Sequence, residues 1–280
     1  MVWGRREWCR TAALSVLLSG CAPWLPRTAS LRSAQLRADD PAWSAQILIL
    51  GEQHDAPEHQ RIQAEVVESL ARKQRLAALV LEMADAPLNT QGLARDATPE
   101  QVQARLNWAE GAWPWSSYAP SIMQAVRAGV VVHGSNLPRA EMPAAMRNTA
   151  LDTAVTEAAW QALIAAVDSG HCHLLPESQW VPMARIQVAK DQRMAATVAK
   201  NVAPERTVVM LCGSAHAHRL HGIPAHLPVD LAKRTHSVHL RSASHEPAEA
   251  GAFDADWLTE AVPDKDYCAE LRQRWGKKAR

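Results

Sequence analysis

Four short apolar runs punctuate the chain, at residues 46–50 (QILIL), 77–81 (AALVL), 130–133 (VVVH) and 207–211 (TVVML). None alternates apolar with polar positions, so each predicts a strand buried on both faces. Between them, residues 58–73, 99–108, 120–128, 152–168 and 176–201 read as helices. In the last of these, Trp180, Met183, Gln187, Asp191, Met194 and Val198 recur at helical spacing, giving a face of mixed polarity. A weaker run at 236–240 predicts one further strand. Strands alternating with helices predict an α/β fold: a mostly parallel sheet with helices on both faces, plus an additional helical subregion. There is no internal repeat or low-complexity block, so residues 41–280 are expected to form a single domain.

The N-terminus has a different pattern. Arg5, Arg6 and Arg10 precede an apolar stretch at 11–18, too short to span a bilayer and proportioned like a secretory signal. It ends in Leu18-Ser19-Gly20-Cys21, which resembles the lipobox of bacterial lipoproteins. On that resemblance residues 1–20 are a cleaved leader and Cys21 carries the lipid. Ala22 follows where an inner-membrane retention signal would place Asp, so the expected location is the outer membrane, facing the periplasm. Residues 21–40, with Pro23 and Pro26 and no apolar period, read as a tether.

Composition narrows the options. Hydrophobic residues make up 48% of the chain, enough for a sizeable core. A formal net charge of +1 gives no support to a nucleic-acid partner. Beyond Cys9 in the leader and Cys21, three cysteines remain: Cys172, Cys212 and Cys268. In an oxidising compartment this suggests one disulfide and one buried thiol, with the pairing open. No CxxC, GxGxxG, GxxxxGK[ST] or GxSxG motif occurs.

Candidate chemistry sits where the strands end. The first strand runs into Gly51-Glu52-Gln53-His54-Asp55 and the second into Glu82-Met83. The third leads to Gly134-Ser135-Asn136-Leu137-Pro138-Arg139 and the fourth to Gly213-Ser214-Ala215-His216. Ligands of open α/β sheets bind outside the carboxyl ends of the strands. Glu52, His54, Glu82, Asn136 and His216 should therefore meet at one edge. Glu52, His54, Glu82 and His216 form a plausible donor set for a divalent transition metal, and with it a metal-dependent hydrolase. Glu82 orienting a histidine as a metal-free general base is a second option, and carboxylates that only accept backbone N–H bonds are a third.

These residues resemble the ChaN-like family of haem-binding lipoproteins, within a wider group that includes Tiki-type proteases and erythromycin esterases. The resemblance spans about 47–227. It rests on Ile49 through Asp55, Val80-Leu81-Glu82-Met83, Trp115 through Tyr118 with Pro120, and Ser135 through Arg139. His171-Cys172, Gln187 with Asp191, Met194 and Ala195, Gly213 through His216, and Gly222-Ile223-Pro224 complete it. It implies a haem-binding lipoprotein of iron uptake, with haems held at a homodimer interface. Haem iron accepts Tyr or His, which makes Tyr118 and His171 the candidate ligands. Asn136, Arg139, Gln187 and Asp191 are expected to line the pocket, with Trp108, Trp113, Trp115 and Trp180 as candidate walls. Where the family reads Gly-Asn-Gly-His, this chain has Ala215 before His216, which restricts the backbone there.

Overall fold

The computed structural model describes residues 40–263 and 265–278. The predicted leader, Cys21 and the tether up to residue 39 lie outside the described residues. Six strands form one sheet: β1 (Ile47–Glu52), β2 (Leu76–Asp85), β3 (Val132–Asn136), β4 (Thr207–Gly213), β5 (Thr235–Ser242) and β6 (Ala255–Thr259). Their spatial order is β3-β2-β4-β1-β5-β6, and every pairing is parallel. The helices are α1 (Pro57–Arg72), α2 (Pro99–Arg105), α3 (Trp115–Arg127), α4 (Met142–Arg147), α5 (Glu157–Gly170), α6 (Trp180–Lys200), α7 (Ser214–Ala217), α8 (Val229–Ala232) and α9 (Tyr267–Lys278).

The unbroken apolar strands follow from this layering. Successive strand residues point to opposite faces, and both faces are covered. Leu48, Leu50, Leu79, Leu81, Val209 and Leu211 pack with Ile62, Val66 and Leu70 of α1 and Ile122 and Val126 of α3. Ile47, Ile49, Ala78, Val80, Val208 and Met210 pack with Met194, Ala195 and Val198 of α6. The additional helical subregion is a third cluster, in which Leu137 and Leu151 flanking α4, Ala145 of α4, Trp160, Leu163 and Val167 of α5, and Ala184 and Val188 of the first half of α6 come together.

Two helix starts differ from the sequence reading. The helix expected from residue 120 begins at Trp115, where the Glu110 carboxylate accepts the Trp115 N–H at 3.1 Å. Pro120 then sits inside the helix, forfeiting only its own N–H bond. The helix expected from residue 152 begins at Glu157, because the Thr156 hydroxyl caps it by accepting from Ala159 N–H. Strand β6 had no sequence signal. It is an edge strand in which Trp257 and Thr259 are buried and Asp256 is exposed.

Of the three cysteines, Cys172 pairs with Cys268, and Cys212 is a buried free thiol. The bond joins the loop after α5 to the first turn of α9 across 96 residues of sequence. It thereby holds Tyr267 against the body of the domain.

Candidate functional site

Glu52 closes β1 and is 1% exposed, so its charge has to be answered from inside the protein. Its Oε1 accepts from the His54 Nδ1–H at 2.7 Å and the Tyr118 hydroxyl at 2.6 Å. Its Oε2 accepts from Gln60 Nε2 at 2.8 Å. The bond at Nδ1 leaves His54 with an unprotonated Nε2 in its neutral form, 4.0 Å from Glu82 Oε2. His54 comes this close to β4 only because Gly213 lacks a side chain: a Cβ there would lie 2.8 Å from His54 Nε2.

Glu82, in β2, is equally buried. Its Oε2 accepts the Gly213 N–H at 2.8 Å and its Oε1 pairs with His216 Nε2 at 3.2 Å. The other ring nitrogen of His216 meets Asp191 Oδ1 at 2.7 Å, Asp191 arriving from α6. One chain of groups therefore crosses the strand ends: Tyr118, Glu52, His54, Glu82, His216, Asp191.

The electrostatics follow from that order. Burial pulls the His216 pKa down, but the charges of Glu82 and Asp191 and their hydrogen bonds outweigh it and raise it to about 10. Burial pushes Glu82 up, but the His216 charge beside it holds its carboxyl well below the usual range. Asp191 is raised to about 6, because burial and repulsion from Glu82 outweigh the pull of His216. His54 is lowered by burial and raised by Glu52 and Glu82, with a net upward shift. Tyr118 is pushed up by burial and by Glu52, so its phenol stays protonated.

A cavity of about 880 Å³ opens on this edge, reached by Glu52, His54, Glu82 and His216. Its apolar walls are Trp113, Pro114, Leu240 and Tyr267, with Arg241 and His245 beside them. Trp113 meets the His54 ring edge-on at 4.6 Å, and the Trp108 indole N–H donates to the Trp113 carbonyl at 2.7 Å. Trp108 and Trp115 thus back the wall, while Trp180 donates to the Leu175 carbonyl in the helical subregion.

Among the predicted residues, Glu52, His54, Glu82 and His216 do converge, and Asp191 stands behind His216. Asn136, Arg139 and Gln187 do not line the cavity. Asn136 accepts the Leu137 N–H at the end of β3, the outermost strand on its side, and Arg139 is exposed. His171 sits at the end of α5 with Nδ1 2.6 Å from the Val167 carbonyl, also outside the cavity lining. Tyr118 is 1% exposed and directed at Glu52. The metal set does not form: among the described residues no group of three or more His, Cys, Asp or Glu side chains is arranged to hold a metal ion. The reason is mutual engagement, since both His216 nitrogens and both Glu52 oxygens already have partners. Ala215 adopts no positive φ, so the glycine its family position favours is not required here.

Sequence reasoning missed Gln60, Arg241, His245 and Tyr267. Gln60 had a signal, because His59, Gln60 and Gln63 put polar residues on the buried face of α1. The other three lie in the C-terminal part, where the patterning is weak.

A family described as haem-binding uptake, Tiki superfamily, ChaN matches residues 40–227. The chain belongs to this family. Among solved structures, ChaN of Campylobacter jejuni, described as binding haem cofacially, superposes with a TM-score of 0.62 at 23% identity, covering 76% of this chain and 86% of that one. The type III effector HopBA1 gives a TM-score of 0.42 at 14% identity over 79% of this chain and 90% of its own. A Bacillus cereus protein gives 0.33 at 16% identity over 88% and 78%. No curated protein matches the chain. Membership of the ChaN family supports haem binding in general terms, and the ChaN fold is the one described above.

Replacing His216 with Ala leaves Glu82 and Asp191 buried without their shared cation, and should lower the unfolding free energy at pH 7 by about 3–5 kcal/mol in urea titrations. The pH dependence carries a sign. A histidine raised from 6.5 to about 10 stabilises fully below 6.5 and loses that contribution as pH rises through 10. The parent should therefore weaken between neutral pH and pH 10 more than His216→Ala does; parallel curves would refute the pairing.

Proposed function

We propose that this ChaN-family protein is an exported, lipid-anchored lipoprotein of the outer membrane, facing the periplasm, that binds haem for uptake. The cavity carries the reading. It is a large slot with apolar and aromatic walls, within the usual range for small-molecule sites, and it has an oxygen donor at its rim. The donors suit haem: a phenol in Tyr267, imidazoles in His54, His239 and His245, and the Arg241 guanidinium for a propionate. Haem bound there would bring redox and iron chemistry, while the chain contributes its slot and ligands.

Of the two tyrosines, Tyr267 would be the better placed to hold the haem iron. It is 46% exposed and lines the cavity, and the Cys172–Cys268 bond restrains it. Tyr118 would have to leave Glu52 and ionise in a buried, anionic setting. His171 adjoins the same disulfide and would be a candidate ligand contributed by a second copy of the chain. The disulfide itself favours an oxidising compartment.

A second reading, hydrolysis, rests on one observation. His54 is oriented by Glu52, like a general base by its carboxylate, and it lines the cavity. On this reading the centre works without the metal expected from sequence.

Haemin titration of the purified protein should give a saturable Soret shift. Tyr267→Phe should change that spectrum and weaken binding about tenfold or more, whereas Tyr118→Phe should leave it unaltered; the reverse pattern would restore Tyr118 as the ligand. For hydrolysis, chromogenic acyl esters in chelator-treated buffer should turn over about a hundredfold faster with the parent than with His54→Ala. Equal rates would dismiss that reading without touching the haem result. Fractionation tests the anchor: Cys21→Ser should no longer carry label from radioactive fatty acid, and a labelled variant would exclude acylation at Cys21.

A further inference from the structure

The sheet's N-terminal edge, opposite the cavity, carries cations that the site does not use. The residue immediately before β2, before β4 and before β5 is an arginine in each case: Arg75, Arg206 and Arg234. In the order β2-β4-β1-β5 these form a row, with Gln46 in the place before β1. At ordinary strand spacing the row is about 15 Å long. Lys233 joins it, and the four cations share a shallow depression with a single acid, Glu205. Arg234 is paired with Asp230, but no ion pair between described residues involves Arg75, Arg206 or Lys233. Against a formal net charge of +1 for the whole chain, this is a segregated positive edge.

Helix macrodipoles do not explain it. Arg72, Arg127 and Lys200 stand in the last turns of α1, α3 and α6, where a cation complements the helix end. Arg234 answers the end of α8, donating from Nε to the Asp230 carbonyl at 2.9 Å, but Arg75 and Arg206 are in the last turn of no helix. Their position has a second property: the chain enters the domain there, with Pro41 and Ser44 lining the same depression. Lys73 lies over the Trp43 ring at 5.0 Å, so an indole and an ammonium flank the entry.

We propose that this edge docks on a bilayer surface rich in anionic phospholipid headgroups, turning the cavity away from the membrane. The inference extends the anchored reading above, yet the contact is made by side chains of the folded domain and does not depend on the acyl chain. Each cation near such a surface strengthens partitioning about fivefold, and with Glu205 and Asp230 set against the four cations the edge keeps a net positive charge that favours this orientation. An indole at the margin suits the headgroup region.

The full-length protein is mixed with vesicles of phosphatidylcholine alone or with about one-third phosphatidylglycerol. Sedimentation should show tighter binding to the anionic vesicles, weakening as salt shortens the screening length. Arg206→Glu with Lys233→Glu, both exposed and outside the cavity, should lower that binding at least tenfold, the leader and tether being common to both proteins. Lysine acetylation gives the orientation: Lys73 and Lys233 should become protected on anionic vesicles while Lys265, near the cavity, stays reactive. Unchanged binding by the double variant, or equal protection of Lys265, would overturn the proposal. An unacylated Cys21 would leave these outcomes as they are.

Discussion

Two carboxylates buried at the ends of strands dominate this molecule. Glu52 and Glu82 are 1% and 3% exposed, and neither charge can be left unanswered in such surroundings. Nearly every feature of the functional edge supplies part of the answer. Tyr118 and Gln60 are brought from α3 and α1 to Glu52, and the Gly213 N–H and His216 to Glu82. His54 lies between the two carboxylates, and Asp191 holds the far side of His216. Removing one member strands its partner, so the cluster acts as a unit.

The parallel sheet makes the cluster possible. All six strands run the same way, which puts every carboxyl end on one edge and every amino end on the other. Glu52 and Gly213 are partners in the β1–β4 register, and Glu82 follows the β2–β4 register by one residue. Strand β4 thus sits between the two acids, and its glycine leaves the gap through which His54 reaches Glu82. The opposite edge inherits the residues before each strand, and there the chain places arginines. One geometry therefore gathers Glu52, Glu82, His54 and His216 at one end of the strands and Arg75, Arg206 and Arg234 at the other.

Much of this was legible in the sequence because burial on both faces leaves an unmistakable unbroken apolar run. Strands β1, β2 and β4 were readable for that reason, and with them the convergence of Glu52, His54, Glu82 and His216. Asn136 was placed in the same group because chain order does not reveal spatial order: β3 follows β2 but lies outside it, away from β1 and β4. Residue type identified Tyr118 as an oxygen donor but not the neighbour that its hydroxyl meets. The metal set failed for a related reason, since spacing shows which donors gather and not which have already paired. Strand β6 escaped because an edge strand with two inward side chains has almost no period to read.

The family match ends at residue 227, but the cavity does not. Leu240, Arg241, His245 and Tyr267 all come from beyond it, so one wall is built from sequence that family membership does not define. Leu240 and Arg241 are held in β5 between β1 and β6, whereas Tyr267 lies outside the sheet, on α9. Strand β6 is an edge strand, and the described residues between it and α9, 260–263 and 265–266, have no regular structure. The Cys172–Cys268 bond compensates by tying α9 to the loop after α5, within the family-matched region. The shape of the cavity thus rests in part on a covalent link between the family-matched region and the C-terminal segment. A reducing environment would free α9 and Tyr267 while leaving the carboxylate cluster intact, because every member of that cluster lies between residues 52 and 216.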